Sequence, residues 1–243
     1  MTGRVAIVTG ASRGLGLACA ERLANDGYRL CLLGTNAADL AAIEGRFAAN
    51  GYDVVTVAAD IRTRDACADA VARAIERFGR VDVLVNSAGV YPRRPVLDIS
   101  AEDWQHVFQV NVLGTYFMMI ESIPVMRTLG SGRIVNITSI DGFKAHPANA
   151  HYAATKAAVI SLTRSLALEV APLGILVNSV APGPMATDAA RKTDWYEPMV
   201  AALPTRTPIE PAEIADLVAF LAAPTNLSIA GETIVVSGAA VIV

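Results

Sequence analysis

The chain has 243 residues, 53% of them hydrophobic and 18% charged, with a formal net charge of -3. That balance supplies material for one large core and little for a disordered tail, and it offers no basic footprint for a nucleic-acid backbone. No run of about 18 uncharged apolar residues marks a membrane span. Cys19, Cys31 and Cys67 have neither metal-ligand spacing nor a CxxC pair, so they read as small buried hydrophobes in a reducing compartment, and no metal site is expected. The amino end enters a strand-like Val5-Ala6-Ile7-Val8 with no apolar leader before it, which predicts a soluble cytoplasmic protein.

In chain order, short runs rich in Val and Ile alternate with longer segments of helical period. Strands are predicted over 4–9, 29–33, 53–58, 83–86, 132–138, 175–180 and 233–236, and helices over 15–25, 37–50, 64–78, 101–129, 152–171 and 211–223. Strands with so little polar alternation belong to a parallel sheet covered on both faces. The βαβα rhythm predicts one doubly wound (Rossmann-like) α/β domain over 1–243, with a mostly parallel seven-stranded sheet flanked by helices. Pro182, Pro184, Pro198, Pro204 and Pro208 break the alternation, so 184–208 is predicted to be a substrate lid within that domain.

The first predicted strand ends in Thr9-Gly10-Ala11-Ser12-Arg13-Gly14-Leu15-Gly16 and passes straight into a helix. Glycine lets the backbone turn tightly and approach a pyrophosphate, whose charge meets the helix N-terminal amides. A glycine turn alone serves any tight βα connection; the strand before it and the helix after it make this one a cofactor signal. The second strand ends in Leu33-Gly34-Thr35-Asn36, with no carboxylate before Asp39. An acidic residue at that place would favour a ribose 2′-hydroxyl over a 2′-phosphate. Arg13 can reach such a phosphate as a charged fork; the alternative is a solvated Arg13, with Asn36 capping the next helix.

Further along, Asn111 puts an amide into an otherwise apolar helical stretch, which is costly unless the amide is paired. Ser139 follows the strand predicted over 132–138, with its hydroxyl at the carboxyl end where it can bond a substrate oxygen. Thr138 alternates to the other side, and a plain turn serine is the other reading of Ser139. Tyr152 and Lys156 lie four apart on a predicted helix and share a face. A phenol near its ordinary pKa of about 10 is a poor proton donor at neutral pH, and a neighbouring ammonium pulls that pKa down. His106 reads as a helix-surface residue, whereas His146 and His151 flank the loop before Tyr152 and can face substrate; none is read as catalytic.

Taken in order, TGxxxGxG at Thr9–Gly16, Asp60, Asn86-Ser87-Ala88-Gly89, Asn111, Ser139, the Tyr152-xxx-Lys156 pair and Pro182-Gly183 resemble the short-chain dehydrogenase/reductase family in its compact form. The likeness covers nearly the whole chain and is nearest to 3-oxoacyl-carrier-protein reductases and to sugar and polyol dehydrogenases. It implies hydride transfer between NAD(P)(H) and a carbonyl or secondary alcohol, with Ser139, Tyr152, Lys156 and Asn111 as the catalytic set. By the same resemblance Lys156 also holds the nicotinamide ribose, and Asn111 kinks its helix and orders a water that relays protons to Lys156. A purely structural Asn111 is the other reading. The implied cofactor contacts are Gly10, Ser12, Arg13, Gly14, Leu15 and Gly16 in the first turn, and Thr35 after the second strand. Asp60 and Ile61 would meet the adenine; Asn86, Ala88 and Gly89, then Pro182, Gly183, Met185 and Thr187, complete the set with Tyr152 and Lys156. Thr63 is the better candidate to cap the helix after Asp60. NADP(H) is favoured and NAD(H) stays open. Two departures stand out: Ser87 where the family usually has a second Asn, and Ser237-Gly238-Ala239-Ala240 where relatives often show a diglycine.

Trp195, Tyr196 and Met199 give the predicted lid an aromatic, apolar cover, and Arg93 and Arg94 are either anion contacts or exposed loop residues. The helices over 101–129 and 152–171 are apolar around much of their circumference. In the resembled family they pair across a two-fold axis, and the apolar tail Ala239-Ala240-Val241-Ile242-Val243 suits a neighbouring subunit, so a homotetramer is expected. The expected partner is a small carbonyl or alcohol substrate, without nucleic acid or membrane. A sugar or polyol dehydrogenase is the alternative within the family; a non-catalytic nucleotide sensor is the alternative outside it, which loss of Tyr152 or Lys156 would have favoured.

Overall fold

The strands of the computed structural model, which describes residues 3–243, form one sheet in the order β3-β2-β1-β4-β5-β6-β7, every neighbouring pair parallel. They are β1 (Val5–Thr9), β2 (Arg29–Gly34), β3 (Val54–Ala58), β4 (Val83–Asn86), β5 (Gly132–Ile137), β6 (Ile175–Pro182) and β7 (Thr233–Val236). The helices are α1 (Gly14–Asn25), α2 (Ala37–Ala49), α3 (Arg64–Phe78), α4 (Ala101–Phe108), α5 (Thr115–Leu129), α6 (Ala150–Val170), α7 (Asp188–Arg191), α8 (Tyr196–Ala201) and α9 (Pro211–Ala222).

Strand alternation divides the core in two. Ala6, Val8, Leu30, Leu32, Val83 and Val85 face one side and bury against α1, α2 and α9 through Leu23, Phe47 and Val218. Val5, Ile7, Cys31, Leu33 and Leu84 face the other and bury against α3, α5 and α6 through Val71, Met118, Met119 and Val170. Period-two side chains on a sheet covered on both sides produce this split, and leave no strand face to be polar. The edge strands β3 and β7 are the more open ones.

The helix predicted over 101–129 is broken. Residues Gln109–Gly114 form a π-helical turn between α4 and α5. The buried Asn111 amide turns away from the helix to bond Val90, accepting from its N–H (2.8 Å) and donating to its carbonyl (2.9 Å). A side chain drawn so firmly to another segment suits a wider turn, and π turns of this kind are frequent at functional sites. The lid segment is also more regular than its prolines suggest: α7 and α8 lie within it, and Tyr196, 1% exposed, packs with Ala186, Ala190 and Val200 in a small core of its own.

Candidate active site

A cleft of about 790 Å³ opens at the carboxyl ends of β1 and β4, where the strand order reverses. Open α/β sheets bind their ligands at this switch point because the loops diverge there. On the β1 side the chain turns through Gly10, at φ 65°, into α1. A Cβ on Gly10 would stand 2.8 Å from Ala88 Cα, and one on Gly16 would stand 2.2 Å from the Gly10 carbonyl oxygen, so no larger residue fits either place. The result is bare backbone in front of the first turn of α1, whose preceding residue Arg13 makes no side-chain cap. Such a turn fits a pyrophosphate, with unspent amides facing it.

Thr9, which the motif contains but whose role the sequence alone does not show, ties the two halves of the cleft together. Its hydroxyl accepts from the N–H groups of Ser87 (3.1 Å) and Ala88 (3.0 Å), clamping the loop after β4 against the glycine turn. This accounts for the tolerance of Ser87 in place of asparagine: the backbone of that residue makes the contact. Asn86 itself departs from expectation. Its side chain is 3% exposed, donates to Asn136 Oδ1 at 2.8 Å and lies behind the cleft wall, so the cofactor contact expected of it is not a side-chain one. The polar chain continues from Asn136 to Thr163 (3.0 Å) and holds β4, β5 and α6 together.

At the adenosine end, Ser12, Arg13 and Thr35 line the cleft. The Asn36 side-chain Oδ1 caps α2, accepting from Ala38 N (2.9 Å) and Asp39 N (3.2 Å). Arg13 is exposed, and among the described residues no carboxylate pairs with it. Asp60 and Ile61 are on the wall as expected, but Arg62 grips Asp60 (Nε to Oδ2 2.8 Å) and holds its carboxyl below the usual carboxylate range. Arg62 was not legible as a site residue; a cation two positions after the aspartate was the available signal. Thr63 makes no side-chain cap on α3, contrary to expectation, because its hydroxyl turns back to the Asp60 carbonyl.

Over the other half of the cleft, Tyr152 sits in the first turn of α6 and shares the cleft wall with Ser139. Ser139 in turn accepts from Asp141 N at 3.1 Å, which fixes its rotamer. Thr138 spends its hydroxyl on the Val180 carbonyl (2.9 Å), as its opposite direction on the strand predicts. Lys156, one turn below, has Nζ 5.5 Å from the Tyr152 ring centre and donates to the Ile137 carbonyl at 2.9 Å. Burial pushes the ammonium down to about 8 and pushes the phenol well above its ordinary value, with the neighbouring Ser139 hydroxyl opposing that rise. The expected lowering of Tyr152 by Lys156 is thus reversed in the free protein: desolvation of the phenolate outweighs an ammonium whose hydrogen bond goes to a backbone carbonyl.

Asn111 also differs from its expected place. Its amide is fully spent on Val90 and on Thr155 Oγ1 (3.1 Å), and it does not line the cleft. It approaches Lys156 only across Gly89, where a Cβ would meet Asn111 Oδ1 at 3.3 Å and Lys156 Nζ at 3.7 Å. His146 and His151 do not face the cleft either. His146 pairs with Asp141 (3.3 Å), and His151 is fully buried, edge-on to Trp104, its pKa lowered by burial. Asp141 and Asn149, joined at 2.6 Å, do line it; nothing along the chain marks them, since only the folded loop brings them beside Ser139.

A dinucleotide cradle joined to a Tyr–Ser–Lys group at the switch point defines an NAD(P)-dependent oxidoreductase. The family model described as "short chain dehydrogenase" matches residues 4–197, and the chain belongs to that family. It is 37% identical over 242 residues to a 3-oxoacyl-[acyl-carrier-protein] reductase of Synechocystis sp., covering 98% of this chain and 97% of that one. Among solved structures, levodione reductase superposes with TM-score 0.92 at 30% identity, covering 99% of this chain and 100% of that one. ElxO, a structure with NADP bound, does so with TM-score 0.92 at 28% identity, covering 97% of each.

Proposed function

We propose that the chain interconverts a carbonyl and its secondary alcohol with NADP(H), Tyr152 Oη being the proton donor and acceptor. The observation that carries this is that Tyr152, Ser139 and Lys156 line the same cleft as the glycine turn. The bound nicotinamide would give or take the hydride. The chain's own residues do the rest. Tyr152, its pKa raised by burial, keeps its proton at neutral pH until an oxygen in need of it is within reach. Ser139 Oγ and Tyr152 Oη converge on that oxygen and stabilise charge developing on it. As the proton leaves Tyr152 Oη, the Lys156 ammonium one turn away stabilises the phenolate. Lys156 keeps two donors beyond its bond to Ile137 for the ribose. Asn111 is a positioning residue that holds the Val90 loop and the Gly89 backbone against Lys156.

NADP(H) is preferred because the β2 end carries no carboxylate to repel a 2′-phosphate, Asn36 is committed to its cap, and Arg13 is unpaired at the rim. The NADP-bound relative supports the same choice. In a cofactor-absorbance assay with both nicotinamides, 3-oxoacyl thioesters are the first substrates, with sugars and polyols as the alternative set. Tyr152→Phe is expected to bind cofactor and lose turnover by at least about a hundredfold, and Arg13→Ala to narrow the NADP(H) advantage. Turnover of Tyr152→Phe within a few-fold of the unaltered enzyme overturns the tyrosine role; an NAD(H) preference overturns the cofactor choice. Residues 184–208 act as the lid within a single domain. Three buried free thiols support residence in a reducing cytoplasm, and a homotetramer accounts for the apolar side chains left on the surface.

A further inference from the structure

We propose that Arg93 selects the substrate: the physiological compound carries an oxyanion, a carboxylate or a phosphate, away from its reacting carbonyl, and Arg93 binds it. This rests on the carbonyl reading above and adds the chemical class of what enters the cleft.

Arg93 follows β4 on the wall that also carries Tyr152, Ser139 and Met199. With the sheet order reversing between β1 and β4, this is the opposite half of the cleft from Arg13 and Arg62 at the adenosine end, so its charge is available to something other than the cofactor's phosphates. The guanidinium is held in place. It stacks over the Trp195 ring, 4.7 Å from the centre, and donates to Met199 Sδ at 3.4 Å. A thioether is a weak acceptor, and the fork has five N–H donors. Among the described residues no carboxylate pairs with it. Asp141 is near enough to feel its charge, but one of its oxygens accepts from Asn149 (2.6 Å) and the other lies 3.3 Å from His146 Nε2. Arg94, beside it, is the contrasting case: it turns to Asp103 (3.5 Å), and its backbone N–H is tied to Ala148 at 2.9 Å, which anchors the whole segment. Past Trp195 the wall continues into a shallow hollow with Lys192 and Asp194 on its rim. A stacked cation with most of its donors unspent, in the reacting half of a cleft, is suited to a planar or tetrahedral oxyanion. The contacts to Trp195 and Met199 also couple that binding to the lid.

The test uses two matched pairs with NADPH: levulinate against methyl levulinate, and dihydroxyacetone phosphate against dihydroxyacetone. The kcat/KM ratio of anion to neutral partner is measured in the unaltered enzyme, Arg93→Gln, Arg93→Lys and Arg94→Gln. The expected result is an anion preference of about tenfold or more in at least one pair. That preference should fall to near unity in Arg93→Gln, be intermediate in Arg93→Lys and stay in place in Arg94→Gln. A variant that is merely damaged loses rate on both partners and keeps the ratio. Calorimetric titration of the same four compounds into the NADP+ complex reads binding without turnover. Arg93-dependent anion binding in an enzyme that reduces none of them sinks the carbonyl reading and keeps the anion site. Turnover with no Arg93-dependent preference sinks the anion site alone, and absence of both overturns both.

Discussion

Burial acts in opposite directions on Tyr152 and Lys156, because it penalises whichever form is charged: phenolate in one case, ammonium in the other. For stability the sign follows directly. The folded Lys156 loses its proton near 8, whereas in the unfolded chain it holds it to about 10.4. Between those limits the unfolded state binds more protons, so this group's contribution to stability rises with pH, by at most about 1.4 kcal/mol per pH unit. The buried thiols act with the opposite sign, since burial pushes all three up to about 12 while unfolded thiols ionise near 8.5. A difference isolates the lysine. Urea unfolding of the wild type and Lys156→Met at pH 7.5 and 9.5 should show the wild type gaining on the variant at the higher pH. A constant difference would mean that Lys156 keeps an ordinary pKa when folded.

The elements that matter most are the irregular ones. The π turn Gln109–Gly114 sets Asn111 against Val90, and at its end a Cβ on Gly114 would stand 2.6 Å from Ile61 Cδ1, so the turn also abuts the adenine wall. The lid has a small core around Tyr196 and edges that meet the cleft through Trp195 and Met199. Leu203 and Met185 seat in the main core, while the other buried apolar side chains of the segment pack on one another, so it can open as a unit. Amides over 184–208 are therefore expected to exchange quickly in the free protein and more slowly with cofactor and substrate bound together. Trp195→Ala should mainly raise KM, because it removes apolar contact and the support of Arg93 but not the proton donor. Equal protection with and without ligands, together with unaltered kinetics of that variant, would make the segment a fixed wall.

For the whole molecule, the surface carries apolar groups that a monomer would leave in water. Leu168 on α6 is 83% exposed, Tyr116 and Phe108 flank the π turn, and Ile242 at the tail is 89% exposed. Separate patches on the long helices and at the tail suit two kinds of isologous contact, which is what a four-subunit assembly with perpendicular two-folds requires. Light scattering coupled to size exclusion should give four times the chain mass of 25.5 kDa, and Leu168→Asp should reduce it to a smaller species by placing a charge in a desolvated contact. A monomer in the unaltered protein would sink this assembly. No helix among the described residues is long and apolar enough to cross a membrane.

The sequence by itself determined the strand–helix alternation, the parallel sheet, the glycine turn and the Tyr152–Lys156 pair, because each is local: a run of β-branched residues, a residue with no Cβ, two side chains one turn apart. Only the tertiary structure decided what depends on distant partners. It took the Val90 backbone to turn Asn111 away from the cleft and the Asn136 amide to draw Asn86 behind its wall. The hydroxyl of Thr9 closes one loop on another 78 positions away, and Arg93 and Arg94, equivalent as letters, part because one meets Trp195 and the other Asp103. The direction of the Tyr152 shift belongs here too: it is set by how much water the fold removes, a quantity that no spacing along the chain encodes.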